Sequence, residues 1–391
     1  MNESKQTALR LDPVAVEFFA GIGLARMGLE CAGFQVTWSN DIEATKRDMY
    51  VRHFKDCEET HTFKLGDIAA VESTELPSGI SLAWASSPCV DVSLAGARAG
   101  LRGARSATFY GFTKILRDLG EGRPDVVTLE NVVGLATSHG GNDLAAAIHE
   151  LNTLGYSVDV LTLDARWFVP QSRPRLFLVG ARFDVESDPD NNPQLRPAWL
   201  RAPFSNSKLI THCAPLPPIV HGAAGTLASI RDKDVSDNDE RWWDATRIAA
   251  FEASLSPIQA DRLAALRKAR SYTYRSAYRR TRNGTPMWEI RNDDIAGCLR
   301  TARGGSSKQA LVKVGYGKLR VRWMTEREYA RLMGADDYDL ADDIKPNQAL
   351  FGFGDAVCVP AVAWLAENYL MPLINGKFTK RPIEELAAIG A

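Results

Sequence analysis

The chain has 391 residues, of which 45% are hydrophobic and 24% are charged, enough for one large domain or two ordinary ones. No run approaches about eighteen uncharged apolar residues, and the first residues lack an apolar signal core, so we expect neither a membrane span nor secretion. The six cysteines are widely spaced and form no CxxC pair, which argues against a disulfide framework or a zinc site. Composition therefore predicts a globular cytoplasmic protein without a bound metal.

The net charge of −1 conceals a strongly basic segment. Between Arg262 and Arg322, sixteen Lys and Arg residues face three acidic residues, which leaves +13 there and −14 in the rest of the chain. Aromatic residues are interleaved with these charges: Tyr272, Tyr274, Tyr278 and Trp288. A solvated helix face is the plain alternative for such a run. The aromatic residues and the scarcity of acids favour contact with a nucleic acid.

The first half of the chain alternates apolar strands with helical patterns. We predict strands at 14–19, 35–38, 80–86, 125–131, 157–165 and 176–183. Helical patterns lie between them, for example at 22–32 before Gly33 and at 142–154 before Gly155. This alternation predicts parallel βαβ units in an open, doubly wound α/β sheet. Ligands of such sheets bind beyond the carboxyl ends of the strands.

The sequence changes character after Asp184. Residues 184–245 are rich in Pro, Asn, Asp and Ser and show no clear periodicity, whereas 326–333 and 347–370 again have helical patterns. We therefore predict three segments: a large domain at 1–185, a smaller and irregular domain at 186–340, and a C-terminal segment at 341–391 that returns to the first domain.

A glycine turn and two acidic residues lie at predicted or expected strand ends. The first strand runs into Phe19-Ala20-Gly21-Ile22-Gly23, and Asp41 ends the second strand about twenty residues later. Asp67 lies at another expected strand end. Glycines allow close approach of a nucleotide-like ligand, and a carboxylate at this spacing suits ribose hydroxyls. The glycine turn alone is weak support, but the set favours an adenosine-containing cofactor. Arg26 replaces the third glycine of GxGxxG, which disfavours a pyrophosphate.

A cysteine and a glutamate lie at the ends of two further strands. Cys89 follows Pro88 and precedes the loop GARAGLRGAR at 96–105. Cysteine is more often a small core residue than a nucleophile, but a cationic loop would lower the pKa of this thiol. Glu130 ends the next predicted strand. Cys89 and Glu130 are therefore candidates for a nucleophile and an acid.

These segments resemble, in the same order, the motifs of the cytosine C5 DNA methyltransferase family. The matching segments span most of the chain: FxGxG at 19–23, SND at 39–41, GDI at 66–68, Pro-Cys at 88–89, ENV at 130–132, QxRxR at 171–175, a helix motif at 322–332 and GDxV at 354–357. Each motif is modest alone, but eight in the correct order are specific. Three residues depart from the family pattern: Val90 where glutamine is usual, Asp355 where asparagine is usual, and Glu17 where aspartate is common.

The resemblance implies a Rossmann-like methyltransferase sheet that binds S-adenosylmethionine, with residues 186–340 as a target recognition domain. It implies that double-stranded DNA is the substrate and that the protein is a monomer, with a restriction endonuclease as a partner that acts separately. The implied catalytic residues are Cys89, Glu130, Arg173 and Arg175. The implied cofactor-binding residues are Phe19, Ala20, Gly21, Ile22, Gly23, Asp41, Ile42, Asp67, Ile68, Pro88, Asp355, Ala356 and Val357. The implied DNA-binding residues are Ser93, Arg98, Arg102 and Arg105 in a mobile lid, Arg275, Arg279 and Arg280 in the basic run, and Arg303, Gly304 and Gly305 in a bracing loop.

The family mechanism assigns a task to each catalytic residue. Cys89 would attack C6 of a flipped-out cytosine, while Glu130 would bind N3 and the exocyclic amine. C5 would then take the methyl group, and loss of its proton would expel Cys89. Of the two arginines, Arg175 is our choice for the base carbonyl, and Asn131 is expected to brace the loop near Cys89.

Four other functions compete with this one. A tRNA cytosine methyltransferase would use the same catalytic residues, but its Cys-Phe-Thr signature is absent from the sequence. An adenine or cytosine amino-group methyltransferase requires Pro-Pro and an aromatic residue where Pro88 and Cys89 stand. A catalytically idle DNA-binding homologue is slightly favoured by Val90, but intact Cys89 and Glu130 argue against it. The incomplete glycine motif and the basic run argue against a nicotinamide-dependent oxidoreductase.

Overall fold

Seven strands form the central sheet of the computed structural model, which describes residues 12–87, 107–188, 192–220, 224–282, 284–300, 308–341 and 343–379. The strand order is β3-β2-β1-β4-β5-β7-β6. The strands are β1 (Val14–Phe18), β2 (Gln35–Asp41), β3 (Thr62–Leu65), β4 (Ile80–Ser86), β5 (Val126–Val132), β6 (Ser157–Asp164) and β7 (Pro174–Ala181).

All six predicted strands are present. The structure adds one strand, β3, and the direction of β7 differs from the prediction. β3 was not predicted, because this short edge strand is at least partly exposed along its length and has no apolar run. β1 to β5 pair in parallel, but β7 is antiparallel to both of its neighbours, β5 and β6. The connection from β6 to β7 is too short for the crossover that a parallel pair requires. The prediction of parallel pairing is therefore wrong for β7.

Helices cover both faces of the sheet, as a doubly wound fold requires. The helices of this part of the chain are α1 (Leu24–Cys31), α2 (Ala44–Phe54), α3 (Ala107–Asp118), α4 (Gly134–Thr137) and α5 (Asn142–Thr153). α1 contributes Leu24 and Leu29 to one apolar cluster. α3 and α5 contribute Phe112 and Ile148 to the other. The apolar strands are thus buried from two sides.

The basic run folds into a second sheet that the sequence did not predict. Its four strands, all antiparallel, lie in the order β11-β10-β8-β9. They are β8 (Thr273–Arg282), β9 (Thr285–Ile290), β10 (Ala310–Gly315) and β11 (Lys318–Trp323), preceded by α6 (Ala245–Ala253) and α7 (Pro257–Arg267). Frequent charges in β8 and β9 obscure the alternation of apolar and polar residues by which strands are predicted.

Acidic residues from outside the basic run neutralise part of its charge. Asp237 pairs with Lys313 at 2.7 Å, and Glu252 pairs with Arg267 at 2.8 Å. The free positive charge of this segment is therefore smaller than a count of charges between Arg262 and Arg322 indicates. The acidic partners are not in that count, because both precede Arg262 in the sequence.

The last helices join the core of the first sheet. They are α8 (Glu326–Leu332), α9 (Pro346–Asp355), α10 (Val359–Leu365) and α11 (Met371–Ile374). Thr325 and Glu328 form a reciprocal capping box at the start of α8. α10 packs so closely on α1 that a Cβ on Gly28 would approach the side chain of Val362 to 2.6 Å.

One helical stretch in this region is long and apolar enough to cross a membrane. It covers Pro346–Ile374, but 67% of its most apolar part is buried inside the protein, as in a core helix. The sequence analysis predicts a helical pattern at 347–370 but no stretch of this length and hydropathy. Its side chains share an apolar cluster with α1 and with Leu195 to Leu227 of the middle segment. The division at 185 and 340 stays a prediction.

Candidate active site

A cavity of about 1160 Å³ opens at the carboxyl ends of the parallel strands. β1, β2 and β5 contribute the residues at or after their ends, among them Gly21, Asp41 and Glu130. The C-terminal helices close it with Asp355, Ala356 and Val357. The crevice that the doubly wound pattern predicts is therefore present where the glycine turn and the acidic strand ends meet.

The glycine turn after β1 is held by Asp41. The backbone N–H of Gly21 donates to Oδ2 of Asp41 at 2.8 Å, and the N–H of Glu43 donates to Oδ1 at 2.8 Å. Phe19 and Gly21 have φ angles of 58° and 59°, a left-handed conformation that costs glycine little. Asp41 therefore fixes the turn at the floor of the cavity.

Hydrophobic and acidic residues line the same end of the cavity. Ile42 is 63% exposed at the rim, beside Phe19 and Ala20. Asp67 and Ile68 also line the cavity, and the Asp67 side chain accepts the N–H of Ala69 at 2.9 Å. An exposed isoleucine next to an aromatic ring offers an apolar surface for a planar ring system.

Two predicted cofactor residues lie behind the cavity rather than in its lining. Ile22 is fully buried against Gly352, and its carbonyl accepts the Tyr338 hydroxyl at 2.9 Å. Gly23 caps α1 with a φ of 83°, and a Cβ there would come within 2.4 Å of Phe54. Both residues shape the turn by packing.

Glu17 is a buried carboxyl group that faces the cavity. It is 0% exposed, and neither oxygen has a hydrogen-bond partner of normal geometry among the described residues. Burial raises its pKa to about 8, although nearby Arg26 favours the charged form. Such an orphaned carboxyl calls for a ligand that donates hydrogen bonds to it.

An ion pair defines the opposite end of the cavity. Nε of Arg175 lies 2.9 Å from Oε1 of Glu130, and both side chains are largely buried. Strands β5 and β7 bring them together, because their antiparallel register sets Val132 opposite Arg175. Burial raises the pKa of Glu130, and the guanidinium groups of Arg175 and Arg173 oppose this shift.

Arg173 donates hydrogen bonds to backbone carbonyls on both sides of the cavity. Its Nη1 donates to the carbonyl of Leu299 at 2.7 Å, and its Nη2 donates to the carbonyls of Gly354 and Ala356. The side chain is 2% exposed, and burial beside Arg175 lowers its pKa to about 10. Its terminal nitrogens therefore bind backbone carbonyls from two other parts of the chain, and the catalytic role expected of Arg173 stays a prediction.

Cys298 lines this end of the cavity and was missed by the sequence reading. Its Sγ lies 3.4 Å from Nη1 of Arg173 and 4.0 Å from both terminal nitrogens of Arg175. Burial favours the neutral thiol, but the two arginines outweigh it and lower the pKa. A cysteine by itself is more often a core residue. The one feature of the sequence that could have indicated a role for Cys298 is its position inside the basic run.

Several predicted residues fall outside the part of the chain that the structure describes. They are Pro88, Cys89, Ser93, Arg98, Arg102, Arg105, Arg303, Gly304 and Gly305. Ser87, directly before them, lines the cavity. Nδ2 of Asn131 donates to the carbonyl of Ser87 at 3.4 Å, in agreement with the bracing expected of Asn131.

The predicted DNA-binding arginines of the basic run lie on β8. Thr273 to Ala277 pair with β10, whereas Ala277 to Arg282 pair with β9, so that the part of β8 after Ala277 extends beyond β10. Arg279 and Arg280 lie on this extension, and the guanidinium of Arg280 is 5.1 Å from the Tyr278 ring. Arg275 lies within the sheet and donates to the carbonyl of Tyr274.

Comparisons with known proteins agree on one family. The model of the family described as C-5 cytosine-specific DNA methylase matches residues 14–370. The type II methyltransferase M.HhaI of Haemophilus parahaemolyticus is 30% identical over 186 residues, which are 47% of this chain and about half (53%) of that relative. M.Bsp6I of Bacillus sp. (strain RFL6) is 24% identical over 356 residues, 90% of this chain and 96% of the relative. The S. pombe Dnmt2 methyltransferase structure has a TM-score of 0.59 at 15% identity, covering 92% of this chain and 99% of that one. At that identity it supports the fold alone.

Proposed function

Because the chain belongs to the C-5 cytosine-specific DNA methylase family, we propose that it transfers a methyl group from S-adenosylmethionine to C5 of cytosine in a specific duplex DNA sequence. The observation that carries the proposal is one cavity with a glycine turn at one end and the Glu130–Arg175 pair at the other. Ser87, two residues before Cys89, lines the same cavity. A cofactor and a base could therefore meet inside it.

The residues present fit S-adenosylmethionine. Its ammonium group would supply the hydrogen-bond donors that buried Glu17 lacks. Phe19, Ile42 and Ile68 would enclose the adenine, with Asp67 near its amine and Asp41 beside the ribose. Gly21, Ala20, Pro88, Ala356 and Val357 would complete the binding surface. When bound, the cofactor supplies an electrophilic methyl group.

The chain itself would prepare the base for that transfer. The thiolate of Cys89 forms a bond to C6, and the electron pair displaced from the C5–C6 double bond moves towards C5. Glu130, whose pKa is raised by burial, holds a proton at N3 and stabilises the ring. After methyl transfer a water molecule takes the C5 proton, the electron pair of that C–H bond restores the C5–C6 double bond, and Cys89 leaves C6 as a thiolate.

Arg175 would orient Glu130 and reach the base carbonyl, since its Nε already donates to that carboxylate. The target cytosine must leave the duplex to enter the cavity, at a cost of about a few kcal/mol. Ser93, Arg98, Arg102 and Arg105 would contact DNA from a closing loop, which would also exclude water. Arg275, Arg279, Arg280 and the segment at 303–305 would contact it from the recognition side.

The relatives named type II methyltransferases suggest a cellular setting. We infer that this chain acts on DNA in the cytoplasm as a monomer. A separate restriction endonuclease that cuts the same sequence would be its partner.

Bisulfite sequencing of DNA from a methylation-free host that expresses the chain tests this function. We expect methylcytosine confined to one short sequence motif, and none when Cys89→Ala is expressed to the same level. The variant should still bind S-adenosylmethionine, because the thiol acts on the base. Absence of methylcytosine with soluble, cofactor-binding protein would overturn the DNA substrate and direct the next assay to tRNA. Undiminished transfer by Cys89→Ala would overturn the nucleophile.

A further inference from the structure

An ion pair joins two distant elements across the cofactor end of the cavity. Nζ of Lys46, in the first turn of α2, lies 2.9 Å from Oδ2 of Asp355, the last residue of α9. Both residues line the cavity. Nearby, Nε2 of Gln348 donates to the carbonyl of Thr45 at 3.0 Å. The contact between α2 and α9 is thus a built interface rather than a chance approach of two long side chains.

Lys46 extends over the glycine turn. Its Cδ would lie 4.0 Å from a Cβ added to Gly21, so the aliphatic part of the side chain passes beside the turn. The side chain is 20% exposed, and that of Asp355 is 34% exposed. The ammonium is consequently held above the turn on which the cofactor would lie.

The charges at this end of the cavity are unbalanced. The carboxylates that line it belong to Asp41, Glu43, Asp67 and Asp355, and the carboxyl group of Glu17 lies beside them. Among the described lining residues, the cations other than Lys46 are Arg173, Arg175 and Arg300. Both terminal nitrogens of Arg173 already donate to backbone carbonyls, those of Leu299, Gly354 and Ala356. Arg175 pairs with Glu130, and Arg300 acts on Cys298. A ligand with its own carboxylate would therefore find one cation here, that of Lys46.

We propose that Lys46 binds the carboxylate of the amino-acid end of the cofactor and that Asp355 positions its ammonium for this contact. This inference rests on the proposed use of S-adenosylmethionine. An ammonium has three N–H donors, so Lys46 can pair with Asp355 and still donate to a ligand. Asp355 stands where asparagine is usual in the family, and this chain thereby gains a partner that keeps the lysine over the cavity.

Binding of two ligands that differ only in the carboxylate tests the proposal. Calorimetric titration without DNA would compare S-adenosylmethionine with decarboxylated S-adenosylmethionine for wild type, Lys46→Met and Lys46→Arg. We expect wild type to prefer the carboxylate-bearing ligand by about tenfold, as for a hydrogen bond between charged groups. Lys46→Met should lose most of this preference, and Lys46→Arg should keep much of it. Lys46→Gln provides a second uncharged variant if Lys46→Met folds poorly.

Lys114→Met is the matched control, because it removes a lysine from an exposed pair with Asp118 on α3. It should keep the wild-type preference. In methyl-transfer assays Lys46→Met should raise KM for S-adenosylmethionine and change kcat little, since Lys46 lies away from the Glu130 end. An unchanged preference in Lys46→Met, with tight cofactor binding, would overturn this inference and leave the proposed function intact. Loss of the preference in a protein that never methylates DNA would support the inference and overturn the function.

Discussion

Glu17 and Glu130 are buried carboxyl groups in the cavity, and they differ in whether a cation pairs with them. Glu130 is buried with a guanidinium partner, whereas Glu17 is buried without a hydrogen-bond partner among the described residues. The pKa of both carboxyl groups is raised by burial, but for Glu130 the two arginines oppose the shift. The two residues should therefore respond differently to substitution.

Replacing Glu130 with glutamine should slow methyl transfer strongly. The amide retains the shape and can donate a hydrogen bond to N3 of the base, but it cannot transfer a proton, and a general acid contributes about 10²- to 10⁴-fold. Single-turnover rates with a substrate duplex would measure the loss. Affinity for S-adenosylmethionine and the urea midpoint should stay near wild type. A variant with normal turnover would contradict the role given to Glu130.

Replacing Glu17 with glutamine should change how stability depends on pH. With a pKa of about 8 in the folded protein, wild-type Glu17 holds a proton that the unfolded chain releases above about pH 4.3. Its contribution to stability is therefore present at low pH and lost as the pH rises towards 8. Relative to wild type, Glu17→Gln should gain of the order of a few kcal/mol between pH 5 and 8, at about 1.4 kcal/mol per pKa unit.

Urea unfolding of both proteins at several pH values would measure this difference in the absence of cofactor. Glu43→Gln is the control, because Glu43 lines the same cavity but is exposed. A difference between Glu17→Gln and wild type that is constant with pH would mean that Glu17 is ionised in the folded protein.

Among the elements, the hairpin of β8 and β9 is the candidate for entering a groove of DNA. It extends beyond β10 and carries Arg279 and Arg280, and a two-stranded ribbon fits the major groove. The turn between β10 and β11 lies at the other end of the sheet, since Val314 pairs with Thr273 at the start of β8. Lys318 and Lys268 lie at that far end.

The double variant Arg279→Gln and Arg280→Gln should weaken DNA binding and reduce its salt dependence. If both side chains contact phosphates, the slope of log K against log salt should become shallower by about 2, roughly 0.9 per contact. Fluorescence anisotropy from low to moderate salt would measure it. Lys268→Gln with Lys318→Gln removes the same charge and should leave the slope unchanged. Equal effects of the two pairs would indicate a diffuse electrostatic contribution instead.

At the scale of the whole molecule, Arg173 connects three parts of the chain. From its position directly before β7 it reaches Leu299, which follows the basic hairpin, and the carbonyls of Gly354 and Ala356 at the end of α9. The neighbouring Arg175 pairs mainly with Glu130 inside the cavity. Arg173 therefore connects separate parts of the chain, whereas Arg175 pairs with an acid that lines the cavity.

Arg173→Lys should lower stability, and Arg175→Lys should not. A lysine at 173 leaves buried carbonyl acceptors without donors, at a cost of about 1–3 kcal/mol, while a lysine at 175 keeps a charge beside Glu130. Thermal unfolding midpoints and methyl-transfer rates of the two variants would separate the effects. Arg175→Lys should be slower at a near-normal midpoint. Equal midpoints for the two variants would contradict this connecting role of Arg173.

The sequence by itself was sufficient to predict the family resemblance, most strands of the first sheet, and the acids and glycines at their ends. These features are local in the chain, since strand and helix periodicity and motif spacing require no knowledge of distant contacts. β3 and the second sheet were missed because their strands are short or charged, so that periodicity gives little signal.

Only the tertiary structure decided which charges meet. It paired Asp355 with Lys46, gave Arg173 its carbonyl partners, brought Cys298 to the catalytic end and supplied Asp237 to the basic run. These residues are far apart in sequence, and their pairing depends on how elements pack rather than on local pattern. The physical reason is that the interaction between two charges depends on the distance between them, which tertiary packing sets. The side-chain pattern of a strand or helix, in contrast, depends only on residues that are close in sequence.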